Sequence, residues 1–316
     1  MKLVVTHLGA LSRYVTREFY YIITDLIETY GWQKFNADQL RDRPGAIERT
    51  LLDEFGELPE SILFWETFNL LGARRVDVYR LECKKYIFAD DLYWWNDEIR
   101  LNRSAGFALF DTVLSAYAYE WDECYPEFGG TKRLVWIPHS ASPDFMLPYN
   151  PYAENAVLLS GHIGYCNPLR AKMKLLCEQG SYAITHYAHP GYMRSYDYSK
   201  DKEVGRGYAE KLNKYRAGFT DAYTFKYVVA KYLEIPATGS LLLGDDAVRG
   251  PLEQLGFVDN THYVAVSREN LEEKLHYVLD ERNHQELDEI RRRGQELVRQ
   301  KHKTSDRARA IDEVCV

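Results

Sequence analysis

Apolar residues in this chain gather in short runs of strand length, and the polar stretches between them carry apolar positions at helical spacing. The first run, residues 2–8, predicts a strand, followed by the loop 7–13 and a helix over 14–30. Residues 33–56 are polar with helical spacing, 61–66 predicts a buried strand, and 72–75 a polar turn. Further strands are predicted over 85–91, 111–118 and 133–139. Strands separated by helix-length polar segments predict a parallel, doubly wound sheet.

The pattern breaks at 140–153, where three prolines and little periodicity read as an interdomain linker. It then restarts, with a strand over 155–161, a loop over 162–167 and a helix over 168–179 that opens on Pro168. Strands over 182–186 and 217–221 flank a helix over 203–215. The stretch 223–246 predicts an amphipathic helix delivering Lys226, Lys231 and Glu234, a break at Pro236 and Gly239, and a buried strand over 241–243. A helix over 247–256 and a strand over 263–266 follow. A helix over 268–280, with Ser267 as N-cap and Glu269 and Glu272 in its first turns, precedes a charged helix from 284 to about 303 and a last helix. The expectation is two α/β domains, 1–145 and 152–316, the last helix being a candidate to pack back on the first.

Composition narrows the function. The formal net charge of −7 argues against a protein that grips nucleic acid through phosphates, because that binding needs clustered Lys and Arg. No apolar run is long enough to span a bilayer and no leader is visible at Met1–Lys2, so a cytoplasmic location is expected. Five cysteines without a C-x-x-C pair point to free thiols. The 25 tyrosines and 6 tryptophans suit sugar binding, since aromatic faces stack on the apolar faces of sugar rings. The loop after the first strand lacks G-x-G-x-x-G, so no dinucleotide site is read there. A carboxylate and two ammonium groups where a helix meets a strand end suggest a ligand carrying both hydroxyls and negative charge, as a nucleotide sugar does.

Ordered motifs carry a family resemblance. The run Tyr165-Cys166-Asn167-Pro168-Leu169-Arg170, then Tyr232-Leu233-Glu234-Ile235-Pro236-Ala237-Thr238-Gly239 with an apolar strand behind it, and the charged helix ending in Ser305-Asp306-Arg307 resemble the C-terminal portion of GT-B glycosyltransferases, most closely the CgeB-like branch. The resemblance covers roughly residues 133–312. It implies an α/β GT-B fold, two Rossmann-like domains facing each other across a cleft. It further implies a transferase that moves a sugar from a nucleotide-diphosphate donor (UDP-, GDP- or dTDP-linked) to a hydroxyl of a glycan or other acceptor. The alternatives are a DNA-base-modifying glycosyltransferase and a non-catalytic nucleotide-sugar-binding protein of the same fold.

Carried onto this sequence, the resemblance makes Glu234 the carboxylate that accepts hydrogen bonds from the donor ribose hydroxyls. Arg170 and Lys231 become diphosphate contacts, Thr238 and Gly239 offer backbone N–H groups to the phosphates, and Lys226 stands where retaining members often carry a second Glu. No metal and no cofactor are expected, because basic residues and helix dipoles take the place of a divalent cation in this fold.

For catalysis the candidates are His7 after the first strand, Asp91 with its neighbour Asp90 after the third, and His139 at the interdomain edge. An alternative for the Asp90–Asp91 pair is that one acid caps the following segment, 92–100. His186 and His189 lack the H-E-x-x-H pattern of a helical zinc site and read as a loop beside the donor base.

Overall fold

The computed structural model describes every residue except Trp94, Trp95, Ala118 and Met193. The chain divides into two compact units, one formed by Met1–Ser12, Phe19–Pro138 and Ser305–Val316, the other by Arg13–Glu18 and His139–Thr304. The boundary expected between 145 and 152 therefore falls inside the second unit. The chain passes from one unit to the other at four places rather than one, and the last helix, Thr304–Val314, is counted from Ser305 onward with the first unit.

The first unit holds a six-stranded parallel sheet of order β2-β1-β3-β4-β5-β6. Its strands are β1 (Lys2–Thr6), β2 (Gln33–Asn36), β3 (Ser61–Trp65), β4 (Lys84–Ala89), β5 (Thr112–Ser115) and β6 (Arg133–Trp136). All five residues of β3 are buried, as continuous apolar strands of parallel sheets are when helices cover both faces. The C-terminal helix is tied to this sheet by Lys2 and Trp32, whose Nζ and Nε1 donate to Asp312 Oδ1 at 2.8 and 2.7 Å.

The second unit holds a five-stranded parallel sheet of order β11-β10-β9-β7-β8. Its strands are β7 (Glu154–Gly161), β8 (Ile184–Ala188), β9 (Tyr215–Thr220), β10 (Leu241–Asp245) and β11 (Val264–Val266). The order reverses between β7 and β9, and at such a switch point the connecting helices leave on opposite faces and open a crevice beyond the strand ends. Pairing of Leu159 with Phe219 brings Gly161 and Asp221 level at that crevice.

The helix Lys231–Ala237 lies close against this sheet because two strand residues have no side chain. A Cβ on Gly218 of β9 would meet Ile235 Cγ2 at 3.0 Å, and one on Gly244 of β10 would meet Tyr232 Cε1 at 2.9 Å. Tyr232, Leu233 and Ile235 are fully buried there, each contributing about 1.5–3 kcal/mol. Their burial fixes the rotation of the helix and so the direction in which Lys231 and Glu234 leave it.

Several local expectations change. Residues 33–36 form the edge strand β2 rather than helix, because only Phe35 of its four residues turns inward and the apolar signal is a single residue. The polar turn expected at 72–75 lies within the helix Phe68–Arg80, which is kinked at Arg74. The helix expected over 14–30 shrinks to Glu18–Glu28. Residues 223–230 are a loop, and the helix begins only at Lys231. Tyr223 and Lys226 both adopt left-handed backbone, with φ of 57° and 54°, which breaks the helix expected across them. The helix expected from 268 starts at Leu271, and the Ser267 hydroxyl instead accepts from Glu269 and Asn270 N–H in the preceding turn. Strand β5 ends at Ser115. The expected strand end at Ala118 lies outside the described residues, as do Trp94 and Trp95 of the segment 92–100.

Candidate functional site

The crevice of the second sheet is built around a buried ion pair. Arg170, in the first turn of the helix Pro168–Gln179, is 1% exposed and places Nε 3.0 Å from Asp221 Oδ1. Its Nη1 donates to the His162 carbonyl at 3.0 Å and its Nη2 to the Thr220 hydroxyl at 2.9 Å. The Arg170 backbone N–H donates to Asp221 Oδ2 at 3.1 Å. The helix N-terminus expected to meet a diphosphate thus already holds an anion, the protein's own Asp221. Burial opposes the charge on Arg170, but Asp221 outweighs it and the guanidinium stays protonated. Arg170 thus joins β7, β9 and the helix start, with its guanidinium bound to Asp221, His162 and Thr220.

Lys231 and Glu234 stand next to this anchor. A Cβ on Gly161, whose φ is +101°, would meet Lys231 Cε at 3.0 Å and Arg170 Nη1 at 3.2 Å, so the bare backbone at the end of β7 makes room for both cations. Lys231 Nζ lies 4.0 Å from Glu234 Oε2 and 5.1 Å from the centre of the Tyr208 ring. Desolvation opposes the Lys231 charge, but Tyr208 and Glu234 outweigh it and hold its pKa above the ordinary value. Glu234 is 5% exposed. Burial pushes its carboxyl pKa up; Lys231 and His139 oppose the shift, and Glu18 and Asp144 add to it. Beyond the 4.0 Å pair with Lys231, no side-chain hydrogen bond to Glu234 is found among the described residues.

His189 joins the same group. Its pKa falls to about 4, first through burial and then through repulsion by Lys231, His162 and Arg170. Its Nδ1 accepts from the Gly191 N–H at 2.9 Å, which leaves a neutral ring with its proton on Nε2. His186 is not in a loop but in the middle of β8, paired with Leu159, because the strand runs two residues further than its apolar pattern.

A second carboxylate, which no sequence motif marks, belongs to this unit. Glu18 is 2% exposed; its Oε2 lies 2.7 Å from His139 Nδ1, while its Oε1 accepts from Ser140 N at 2.5 Å and Ser140 Oγ at 2.8 Å. The segment that carries it is clamped by Arg17, which forks onto Asp144 at 2.8 and 2.9 Å and stacks 3.8 Å over Tyr198.

The remaining candidates take other places. His7, in the first unit, pairs its Nδ1 with Asp38 at 3.2 Å. The Asp91 carbonyl accepts from buried Arg103 at 2.6 Å, and the Asp90 N–H donates to Glu66 at 2.5 Å. Neither acid caps the helix that follows, since Asn96 does. Lys226 is exposed in the loop after β9, not on a helix face shared with Lys231 and Glu234. Thr238 and Gly239 turn their N–H groups inward: Thr238 N donates to Glu234 O at 3.3 Å and Ile235 O at 3.2 Å, Gly239 N to Pro236 O at 2.9 Å. Both residues therefore close the helix end, and Gly239, with φ +85°, packs against Gln295 and Tyr149, where a Cβ would lie 2.9 Å from Gln295 Nε2. Among the described residues, no group of three or more His, Cys, Asp or Glu is placed to hold a metal ion. No helix among them is long and apolar enough to cross a membrane.

Two parallel α/β sheets with this strand order align over nearly the whole chain with solved glycosyltransferase structures. Sucrose-phosphate synthase from Thermosynechococcus elongatus matches with a TM-score of 0.64 at 11% identity, over 99% of this chain and 97% of that one. The fold is GT-B. An alpha-glucosyltransferase solved with UDP-glucose and DNA containing an abasic site aligns with the GT-B chain at a TM-score of 0.63 and 10% identity, over 99% and 98% of the two chains. The pneumococcal O-GlcNAc transferase GtfA, solved with UDP and GlcNAc, aligns at a TM-score of 0.51 and 10% identity over 85% of this chain, which spans only 59% of that protein's length. Residues 179–313 match the sequence profile of the family described as glycosyl transferase-like. A sequence comparison with curated proteins finds no match.

Proposed function

We propose that the protein is a glycosyltransferase that moves a sugar from a nucleoside-diphosphate donor to an acceptor hydroxyl. The observation that carries this reading is Glu234: a buried carboxylate with a raised pKa, no side-chain hydrogen bond, and an ammonium 4.0 Å away, beside the crevice of a GT-B sheet. The Glu234 oxygens are not among the sealed polar atoms that lack a partner, so they keep some exposure and a donating ligand can reach them. A vicinal diol would donate two hydrogen bonds to Glu234, and Lys231 would face the diphosphate. That is the chemistry of a ribose attached to a diphosphate.

In the transfer, the bond between the anomeric carbon and the diphosphate oxygen breaks, its electron pair staying on that oxygen, as the acceptor oxygen bonds to that carbon and its proton passes to the leaving diphosphate or to solvent. The leaving diphosphate gains negative charge, and Lys231 stabilises it by a preorganised positive charge. Lys231 fills the role a divalent cation would take, so turnover is expected to persist in EDTA.

Calorimetry with UDP-, GDP- and dTDP-sugars tests the reading, followed by release of nucleoside diphosphate with and without carbohydrate acceptors. Failure of every nucleotide to bind would sink it. Binding without release or transfer would support a nucleotide-sugar-binding protein of the same fold instead.

A further inference from the structure

A cation packed beside another cation needs something to hold it, and for Lys231 that is not an anion. Its Cε and Arg170 Nη1 crowd the same bare backbone at Gly161, 3.0 and 3.2 Å from where a Cβ would stand. Asp221 is already bound to Arg170. The carboxylate paired with Lys231 is Glu234, whose Oε2 stays 4.0 Å from Nζ, too far for a hydrogen bond. Among the described residues, Lys231 Nζ donates no hydrogen bond.

What Nζ does meet is the ring of Tyr208, 5.1 Å from its centre. An ammonium within about 6 Å of a ring centre is drawn to the negative face of the aromatic quadrupole. Tyr208, on the helix Gly205–Lys214, is 9% exposed, and its neighbours fix the ring. Its hydroxyl is 2.7 Å from Ser160 Oγ, on the strand β7 that ends at Gly161. Phe145 meets the ring edge-on at 5.9 Å, and Tyr187 of β8 lies parallel to it within 8°, their centres 6.3 Å apart. The kind of partner matters. A carboxylate at hydrogen-bond distance would neutralise the ammonium and occupy its donors. A ring face attracts the ammonium, leaves its net charge in place and leaves the N–H groups that point away from the ring available.

We propose that Tyr208 is a positioning residue for Lys231, holding the ammonium at the end of β7 by its ring face so that charge and donors are kept for the diphosphate of the donor. The proposal rests on the glycosyltransferase reading. Without the ring face Lys231 would leave this position for part of the time, and apparent affinity falls with the fraction that stays competent.

Two measurements separate this role from packing. In full-length protein labelled with 13C-lysine, with the Lys231 signal assigned by Lys231→Arg, the Lys231 Hε protons should be shifted upfield by the Tyr208 ring current. Tyr208→Leu should remove that shift. An Hε signal at the free-lysine position in the wild type overturns the proposal, whether or not any nucleotide binds and whether or not Tyr208→Leu folds. The second measurement replaces Tyr208 by phenylalanine and by mono-, di- and trifluorophenylalanine through stop-codon suppression, which keeps the ring's shape while draining its face of negative charge. The Kd for UDP by calorimetry should rise stepwise along the series, reaching about 3- to 30-fold for the trifluoro ring, the range of a cation–π contact. In a Lys231→Met background, titrated into the millimolar range, the same series should be flat. An equal rise with and without Lys231 overturns the proposal, since that is what packing alone would give. So does the absence of any rise while UDP binds. If UDP does not bind the wild type, it is the glycosyltransferase reading that fails, and the ring-current shift still decides whether Tyr208 holds Lys231.

Discussion

Replacing Glu234 by Gln separates a binding carboxylate from a structural one. The side chain keeps its size and one acceptor oxygen but loses its charge, at a position that is 5% exposed and 4.0 Å from Lys231. At 4.0 Å and an effective dielectric of about 20, the attraction to Lys231 is on the order of 4 kcal/mol before desolvation is counted. The raised pKa of Glu234 shows that burial, with Glu18 and Asp144, outweighs the favourable pull of Lys231 and His139. The folded state therefore binds the carboxyl proton more tightly than the unfolded chain does. Between the ordinary carboxyl pKa and the raised one, the native state carries more protons, and stability falls as pH rises through that window. Above it the charged group is a standing cost, so Glu234→Gln should leave the melting temperature at pH 8 unchanged or higher. Donor binding should move the other way. A hydrogen bond to a charged group contributes about 1.5–3 kcal/mol, so the Kd for UDP by calorimetry should rise about 10- to 150-fold. Unchanged affinity in the folded variant, or a melting temperature that drops with the affinity, would refute the assignment.

Other outcomes follow from the same geometry. Asp221→Asn leaves Arg170 buried without its counter-charge and should destabilise the fold by about 3–5 kcal/mol, read from urea unfolding. Gly161→Ala sets a Cβ 3.0 Å from Lys231 Cε at a φ of +101°, and should cost about 1–3 kcal/mol of stability and weaken UDP binding by displacing the lysine. His189 should titrate at about 4 by NMR, and a bound diphosphate beside Lys231 should raise that midpoint by adding negative charge. Because its folded pKa is depressed, the stability linked to neutral His189 is present above about 6.5 and is lost as pH falls toward about 4. Fluorescence anisotropy with a labelled DNA duplex at physiological ionic strength should show no binding, given a net charge of −7.

The parts legible in the sequence are those written in local order. The apolar runs at 61–66 and 241–243 place β3 and β10 because strands covered on both faces need unbroken apolar residues. Glu234 stood out because Ile235-Pro236-Ala237-Thr238-Gly239 and a buried strand follow it directly. What stayed hidden depends on partners far along the chain. Arg170 is tied down by Asp221, 51 positions later, and a strand-end acid gives no sign of which base it will meet. Glu18 and His139 are 121 positions apart, and only the folded chain brings them together. The backbone N–H groups of Thr238 and Gly239 looked available because a Thr-Gly pair after a helix is equally consistent with a phosphate loop and with an internal helix stop. The left-handed backbone at Tyr223 and Lys226 could not be read either, since neither residue favours that conformation.

The four passages of the chain between its units bear on the order in which the protein can mature during synthesis. Lys2 and Trp32 both wait for Asp312, so the first sheet lacks these bonds until residues made after the entire 139–304 stretch have left the ribosome. The second unit, by contrast, draws only Arg13–Glu18 from outside its contiguous run and has its partners earlier. Translation should therefore deliver a finished second half while the first still lacks its last helix. The N-terminal portion then becomes the segment exposed to chaperones and proteases for the longest time.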